Sequence, residues 1–149
     1  MSRWSLEYSI DVDEKLAVVF LKIHGIWKGE TAERYHQDFR EKVAPLLGQP
    51  WAKIADLTNW KTSYQEVTDV IGRHMEWSRA NNVALQIYVL DNPSTYRQLN
   101  EMFVKGGVRD ISHTFRTYEE AERFLKENWL DKRRERSSSE RSRRPSAKT

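Results

Sequence analysis

Two hydroxyl side chains, Thr62 and Ser63, stand together in the stretch DLTNWKTSYQEV, where an apolar segment gives way to a polar turn and then to a helix start. A hydroxyl in that place could carry a phosphoryl group, because the free N–H groups and dipole at a helix N-terminus favour an anion. It could equally serve the helix itself. Ser63-x-x-Glu66 has capping-box spacing, in which the hydroxyl accepts from an early helical N–H and Glu66 reaches back to the cap's own N–H. That reading accounts for both residues without a kinase.

Other reactive types are present but scattered. His24, His36, His74 and His113 fall on different segments, and no two have the i, i+4 spacing or companion carboxylate that specifies a metal site. His24 beside Gly25, and His74 near Asp69 and Glu76, would transfer protons only where folding brings partners to them. There is no Gly-x-Ser-x-Gly, phosphate-cradling glycine loop or dinucleotide fingerprint, and Lys105-Gly106-Gly107 reads as a helix stop. The absence of cysteine removes thiol nucleophiles, disulfides and thiolate-bound zinc. No catalytic residue, metal or cofactor is predicted.

Asp91-Asn92-Pro93-Ser94 is a second polar turn leading into a helix. Ligands of open α/β sheets sit beyond the carboxyl ends of strands, so Asp56, Thr58, Asn59, Asp91 and Asn92 define one candidate edge. Trp27, Trp51, Trp60 and Trp77 lie at or near element ends. Trp51 and Trp77 suit seams between helices and sheet, whereas Trp60, in a polar turn, is expected to be exposed.

The elements that must position these groups follow from hydrophobic period. WSLEYSIDV alternates Trp4, Leu6, Tyr8, Ile10 and Val12 against polar residues, DVDEK reads as a turn, and LAVVFLKIHG is a β-branched run, together a hairpin. Ala32, Tyr35, Phe39, Val43, Leu46 and Leu47 recur at helical spacing before Gly48 and Pro50. WAKIADL is short and apolar, as a strand buried in a sheet is. Val67, Val70, Ile71, Met75 and Ser78 share a helical face that ends at Asn81-Asn82, and VALQIYVL is the strongest strand. A third helix starts at Asp91-Asn92-Pro93, carries Leu99, Met102 and Phe103, and stops at Gly106-Gly107. DISHTF is a weaker strand, and Thr117-x-x-Glu120 caps a last helix with Ala121, Phe124 and Leu125. The pattern predicts an α/β fold: an N-terminal β-hairpin, a helix and three βα units, with a mostly parallel five-stranded sheet and four helices.

Length and composition fit one domain with a proper core: 149 residues, 38% hydrophobic, with no apolar run long enough to span a bilayer and no signal-peptide pattern. A cytoplasmic location is expected. The net charge of +3 is misleading as a nucleic-acid signal. Residues 131–149 hold eight basic and three acidic side chains, which leaves 17 basic and 19 acidic groups on the first 130. That tail has almost no apolar surface and no aromatic ring for base stacking, so disorder and no specific nucleic-acid partner are expected beyond a domain spanning 1–130.

The segments HGIWKGETAERYHQDF, APLLGQPWAKIADLTNW, VIGRHMEW, DNPSTYRQLNEMF and ISHTFRTYEEAERFL resemble the SpoIIAA-like fold of STAS domains. That family includes anti-sigma-factor antagonists and sulphate-transporter cytoplasmic domains; the likeness covers residues 4 to 130. It is closest to small stand-alone bacterial SpoIIAA-like proteins, grouped with CRAL-TRIO-type lipid-binding folds. The resemblance implies a regulatory protein-interaction domain. Phosphorylated antagonists carry Asp-Ser-x-Gly at the start of the second helix; the matching turn here is Asn59-Trp60-Lys61-Thr62-Ser63, without the Asp-Ser pair or the glycine.

Residues and resemblance together predict a non-enzymatic domain that binds a partner protein through Asp56, Thr58, Asn59, Trp60, Thr62 and Ser63. Thr62 and Ser63 are its candidate phosphosites, and a homodimer is allowed. The alternative is a small apolar ligand or lipid module of CRAL-TRIO-like type. Asp91, Asn92, Met75 and Trp77 would form the ligand edge, and Tyr88, Met102 and Phe103 would border the pocket.

Overall fold

The alternating run and the β-branched run fold back on each other as β1 (Tyr8–Asp13) and β2 (Val18–Gly25), antiparallel, with Tyr8 opposite Ile23 and Asp13 opposite Val18. Asp13 Oδ1 closes the turn by accepting from the Leu16 N–H at 2.9 Å, and Ala17 takes the left-handed conformation, φ +56°. There follow α1 (Gly29–Val43), β3 (Trp51–Trp60), α2 (Gln65–Ala80), β4 (Val83–Val89), α3 (Pro93–Gly106), β5 (Ser112–Phe115) and α4 (Tyr118–Leu125). This computed structural model describes residues 7–135. The expected strand positions Trp4 and Leu6, and residues 136–149 of the expected tail, lie outside the described residues.

The strands lie in the order β1-β2-β3-β4-β5. A mostly parallel sheet was the expectation; the sheet is mixed, because the hairpin supplies an integral antiparallel edge strand while β2–β3, β3–β4 and β4–β5 pair in parallel. Each of the three parallel connections is a helix joining neighbouring strands. Crossovers of one hand then place all three helices on one face. Tyr35 and Phe39 of α1, Val67 and Met75 of α2, and Leu99 and Met102 of α3 accordingly share one core with Trp51, Ala55 and Tyr88 of the sheet. The opposite face, Val18, Ala52, Ile54, Ile87 and Val89, packs against Ala121 and Leu125 of α4.

Local signals set most helix ends. Asn92 Oδ1 accepts from the Ser94 N–H at 2.8 Å, Pro93 occupies the first helical position, and Gly107 at φ +65° ends α3. Thr117 caps α4 by accepting from the Glu120 N–H at 3.2 Å. The chain after α4 widens into a π-type turn at Lys126–Leu130 and stays helical to residue 135, past the expected boundary at 130. Trp129 Nε1 there donates to the Leu16 carbonyl at 2.9 Å, tying this segment to the hairpin turn.

Helices α2 and α3 meet through glycine. A Cβ on Gly106 would fall 2.6 Å from Met75 Cβ and 2.9 Å from the Gly72 carbonyl oxygen, closer than atoms pack. Replacing a helical glycine with alanine ordinarily gains about 0.5–1 kcal/mol. Gly106→Ala should reverse that sign and lose about 1–3 kcal/mol by forcing the helices apart, read from the midpoint of urea unfolding.

Candidate functional site

The edge picked out by the sequence lies at the carboxyl ends of β2, β3 and β4, and a bulge shapes it. Lys22 pairs with Asp56 but His24 pairs with Asn59, so β3 carries one extra residue against β2. A bulge shifts the side-chain alternation by one. Trp51, Ala55 and Leu57 face the helices; unbroken alternation would turn Asn59 inward and Trp60 out. Instead Thr58 and Asn59 are both exposed and Trp60 is 5% exposed, inside the main core. The expectation of an exposed Trp60 is therefore corrected. Asp56, half-buried, accepts from the Thr58 N–H at 3.0 Å and so holds the bulge.

The capping-box reading of Ser63 and Glu66 is also overturned. The cap of α2 is Tyr64, with no side-chain cap bond. Ser63 Oγ accepts from the Trp27 N–H at 2.8 Å and donates to the Lys61 carbonyl at 2.9 Å. Glu66 Oε2 accepts from the Gly29 N–H at 2.9 Å. Both side chains thus satisfy the entry into α1, which has no cap of its own. The Gln98 amide completes the clamp, accepting from the Ser63 N–H at 2.8 Å and donating to the Ser63 carbonyl at 3.1 Å. Ser63 is a knot between three elements, while Thr62 is exposed. Loop-to-loop bonds from Lys61 N–H to the Gly25 carbonyl (3.0 Å) and Tyr64 N–H to the Trp27 carbonyl (3.3 Å) fix the rest. Ile26 and Tyr64, 59% and 55% exposed, project from these two bonded loops; the sequence reading missed both, since single apolar residues in turns carry no periodic signal.

The four residues of the expected ligand edge are not brought together. Asn92 is occupied as the cap of α3 and is exposed with Asp91 on an open groove of about 360 Å³ that also includes Tyr96 and Arg116. Met75 is in the core, and Trp77, half-buried, packs its ring against His36 and Phe39 on the α1–α2 seam.

No family model matches the chain, and no curated protein matches it either. What the molecule can do is therefore read from its own geometry.

Beneath the edge is a cavity of about 40 Å³, walled by side chains including Trp27, Trp60, Tyr35, Lys53, His74 and Tyr88. Lys53 is 1% exposed, and its Nζ lies 5.3 Å from the Phe39 ring centre and 5.9 Å from that of Tyr88. No carboxylate forms an ion pair with it among the described residues. Aromatic faces compensate a charge only partly, and burial lowers the amine from its ordinary 10.5 to about 7. His74, 1% exposed, exchanges a hydrogen bond with His36, Nδ1 to Nδ1 at 2.8 Å. Burial holds His74 well below the usual imidazole range, assisted by the Lys53 charge and then by His36. His36 is lowered as well, first by burial and then by the Arg40 charge. Burial raises the Tyr35 and Tyr88 phenols. Near neutral pH the two imidazoles and the two phenols are uncharged, and the Lys53 amine, at about 7, is close to half free. Among the described residues no group of three or more His, Cys, Asp or Glu side chains could hold a metal ion.

The sequence reading passed over Lys53 and the histidine pair. Lys53 was detectable, because it alternates with Trp51, Ala55 and Leu57 in a strand that had to be buried on both faces. His36 and His74 are 38 positions apart and meet only through helix packing.

Two predictions follow from this geometry. Ser63→Ala should cost about 1–2 kcal/mol, since it unpairs the Trp27 N–H, whereas exposed Thr62→Ala should stay within about 0.5 kcal/mol, as urea unfolding would show. For Lys53 the unfolded chain binds the proton up to pH 10.5 and the folded chain only to about 7, so stability should rise with pH across that interval. Lys53→Met should be the more stable protein at pH 7 and should lose that rise, a comparison made by unfolding both across the interval.

Proposed function

We propose that this chain is a SpoIIAA-like binding domain that engages a partner protein with the carboxyl-end edge of its sheet. The observation that carries the reading is the pairing of large exposed apolar side chains, Ile26 and Tyr64, with loops already fixed by hydrogen bonds. Aromatic and aliphatic side chains on rigid supports bind well because little conformational freedom remains to be lost. Thr58, Asn59 and Thr62, all exposed, supply a polar surround. Tyr96, 45% exposed on the first turn of α3, extends the same edge.

Trp60 supports this surface from below and is not itself the contact. Thr62 has the exposure a phosphoacceptor needs, whereas modification of Ser63 would break the clamp on Trp27. The small-ligand alternative is weakened by size. A lipid or drug-sized ligand needs roughly 300–1,000 Å³ of sheltered space; the cavity walled by Met75 and Tyr88 offers about 40 Å³, and the groove of about 360 Å³ at Asp91 and Asn92 is open to solvent.

A photo-crosslinking amino acid in place of Tyr64, in the full chain within its own cells, tests the proposal. One protein should be captured from position 64, should be lost when Ile26→Ser is added, and should not be captured from a probe at exposed Glu119 on α4. Equal capture from positions 64 and 119, or none from 64, would rule out this edge. The substitutions at 26 and 64 should leave stability within about 0.5 kcal/mol.

A further inference from the structure

Three buried side-chain atoms have no hydrogen-bond partner among the described residues: His74 Nε2, Gln86 Oε1 and Tyr88 Oη. All three belong to the helix-covered side of the sheet, around Lys53. Gln86 stands opposite Lys53 in the β3–β4 register, and His74 and Tyr88 wall the same cavity as Lys53. The orientation of the Gln86 amide is fixed by its neighbour. Ser112 Oγ donates to the Val108 carbonyl at 2.7 Å, so it accepts from Gln86 Nε2 at 2.9 Å and leaves the amide oxygen free. An unpaired buried polar atom costs about 1–3 kcal/mol. Two of the three, His74 Nε2 and Tyr88 Oη, belong to side chains that wall the cavity of one buried amine, and they point to a shared occupant.

The cavity restricts what that occupant is. Its 40 Å³ holds about three water-sized atoms at roughly 10–15 Å³ each. Its walls are mostly apolar, so a molecule that enters is small and uncharged. Once in place it must accept from the Tyr88 hydroxyl and give a hydrogen to His74 Nε2, whose lone pair is free when Nδ1–H bonds to His36. A carbamate on Lys53 has that inventory: its oxygens accept, and the proton released as it forms goes to His74 Nε2.

We propose that Lys53 is a carbon dioxide site, at which the buried amine reversibly adds the gas to form a carbamate held by Tyr88 and His74. The amine lone pair attacks the carbon, the new N–C bond forms, and one C=O electron pair moves onto oxygen. One amine proton passes to His74 Nε2. Amine, carbon dioxide and imidazole are neutral at the start, and the product is a carbamate–imidazolium pair with no net charge, so no isolated charge is buried. The step requires the tautomer in which His74 Nδ1–H donates to His36 Nδ1, leaving Nε2 free to take the proton; His36 is half-buried and can relay the proton outward. No oxidant or further reactant is needed.

The other titratable group facing the site, Tyr35 of α1, stays a neutral phenol, since burial raises it. The reaction requires a free amine, and burial supplies one by lowering Lys53 to about 7. Exposed lysines near pH 7 are protonated and do not compete. A small aldehyde would also fit by size, but its imine expels the oxygen as water and leaves the Tyr88 hydroxyl without an acceptor.

The full chain, equilibrated with isotopically labelled bicarbonate and dissolved carbon dioxide at about pH 8, where the Lys53 amine is free, is trapped with a trialkyloxonium salt and mapped by mass spectrometry. The expected result is a labelled carbamate ester on the Lys53 peptide, rising with carbon dioxide and absent in Lys53→Met. Tyr88→Phe, which keeps the ring, should lower occupancy about ten-fold by removing one hydrogen bond. An unlabelled Lys53 in folded wild-type protein at saturating carbon dioxide would overturn the proposal. Labelling spread evenly over exposed lysines, or full occupancy in Tyr88→Phe, would overturn it too.

Discussion

Strands β2 to β5 are laid down in order, each beside the last, and each parallel step requires a crossover of one hand. Helices α1, α2 and α3 then have no choice of side. One face of the sheet receives three helices and the larger core; the other depends on whatever follows β5. This explains why the chain after α4 continues as helix to residue 135. The eight residues of α4 cover Ala52, Ile54 and Ile87, but the hairpin end of that face needs more, and Trp129 and Leu130 reach it. Trp129 and Leu130 close the packed part of the expected 1–130 domain, and the helix runs on to residue 135.

Unequal faces also account for the buried lysine. A central strand with helices on both sides has nowhere to send a long polar side chain, and β3 is fully buried from Trp51 to Ala55. Lys53 therefore extends under α1 and α2 among Phe39, Tyr88 and His74. In such a place the ammonium loses its water without gaining a carboxylate, and the proton is what gives way. A core residue of this kind weakens the fold at neutral pH relative to an apolar one of similar shape. What it provides in exchange is an amine that is close to half neutral near pH 7.

Much of the architecture was legible because it rests on local signals. The apolar period of α1 from Ala32 to Val43, Asn92-Pro93 at the start of α3, and Thr117 three residues before Glu120 each specify an element within one or two turns of chain. The candidate edge was located by strand ends and topology, and Thr58, Asn59 and Thr62 are exposed there. What failed was nonlocal. The bulge opposite Lys22 and His24 depends on how two strands align, and it alone inverted the fate of Trp60. Ser63 and Glu66 have the spacing of a cap for their own helix, yet the uncapped entry to α1 lies close enough to claim both. Lys53 followed the alternation of its strand, and its type obscured that, since lysines are seldom fully buried.

The edge and the interior are not independent, because they share a wall. Trp27 and Trp60 line the cavity, while Trp27 also receives the Ser63 clamp and precedes the loop position that begins α1. Trp60 closes β3 immediately before the turn that carries Thr62 and Tyr64. Close-packed side chains transmit displacement, having little free volume to absorb it. A change of volume or charge at Lys53 therefore acts on Trp27 and Trp60, which wall the same cavity. Whatever coupling links Lys53 to the edge acts equally in both directions, since coupling between two equilibria is reciprocal.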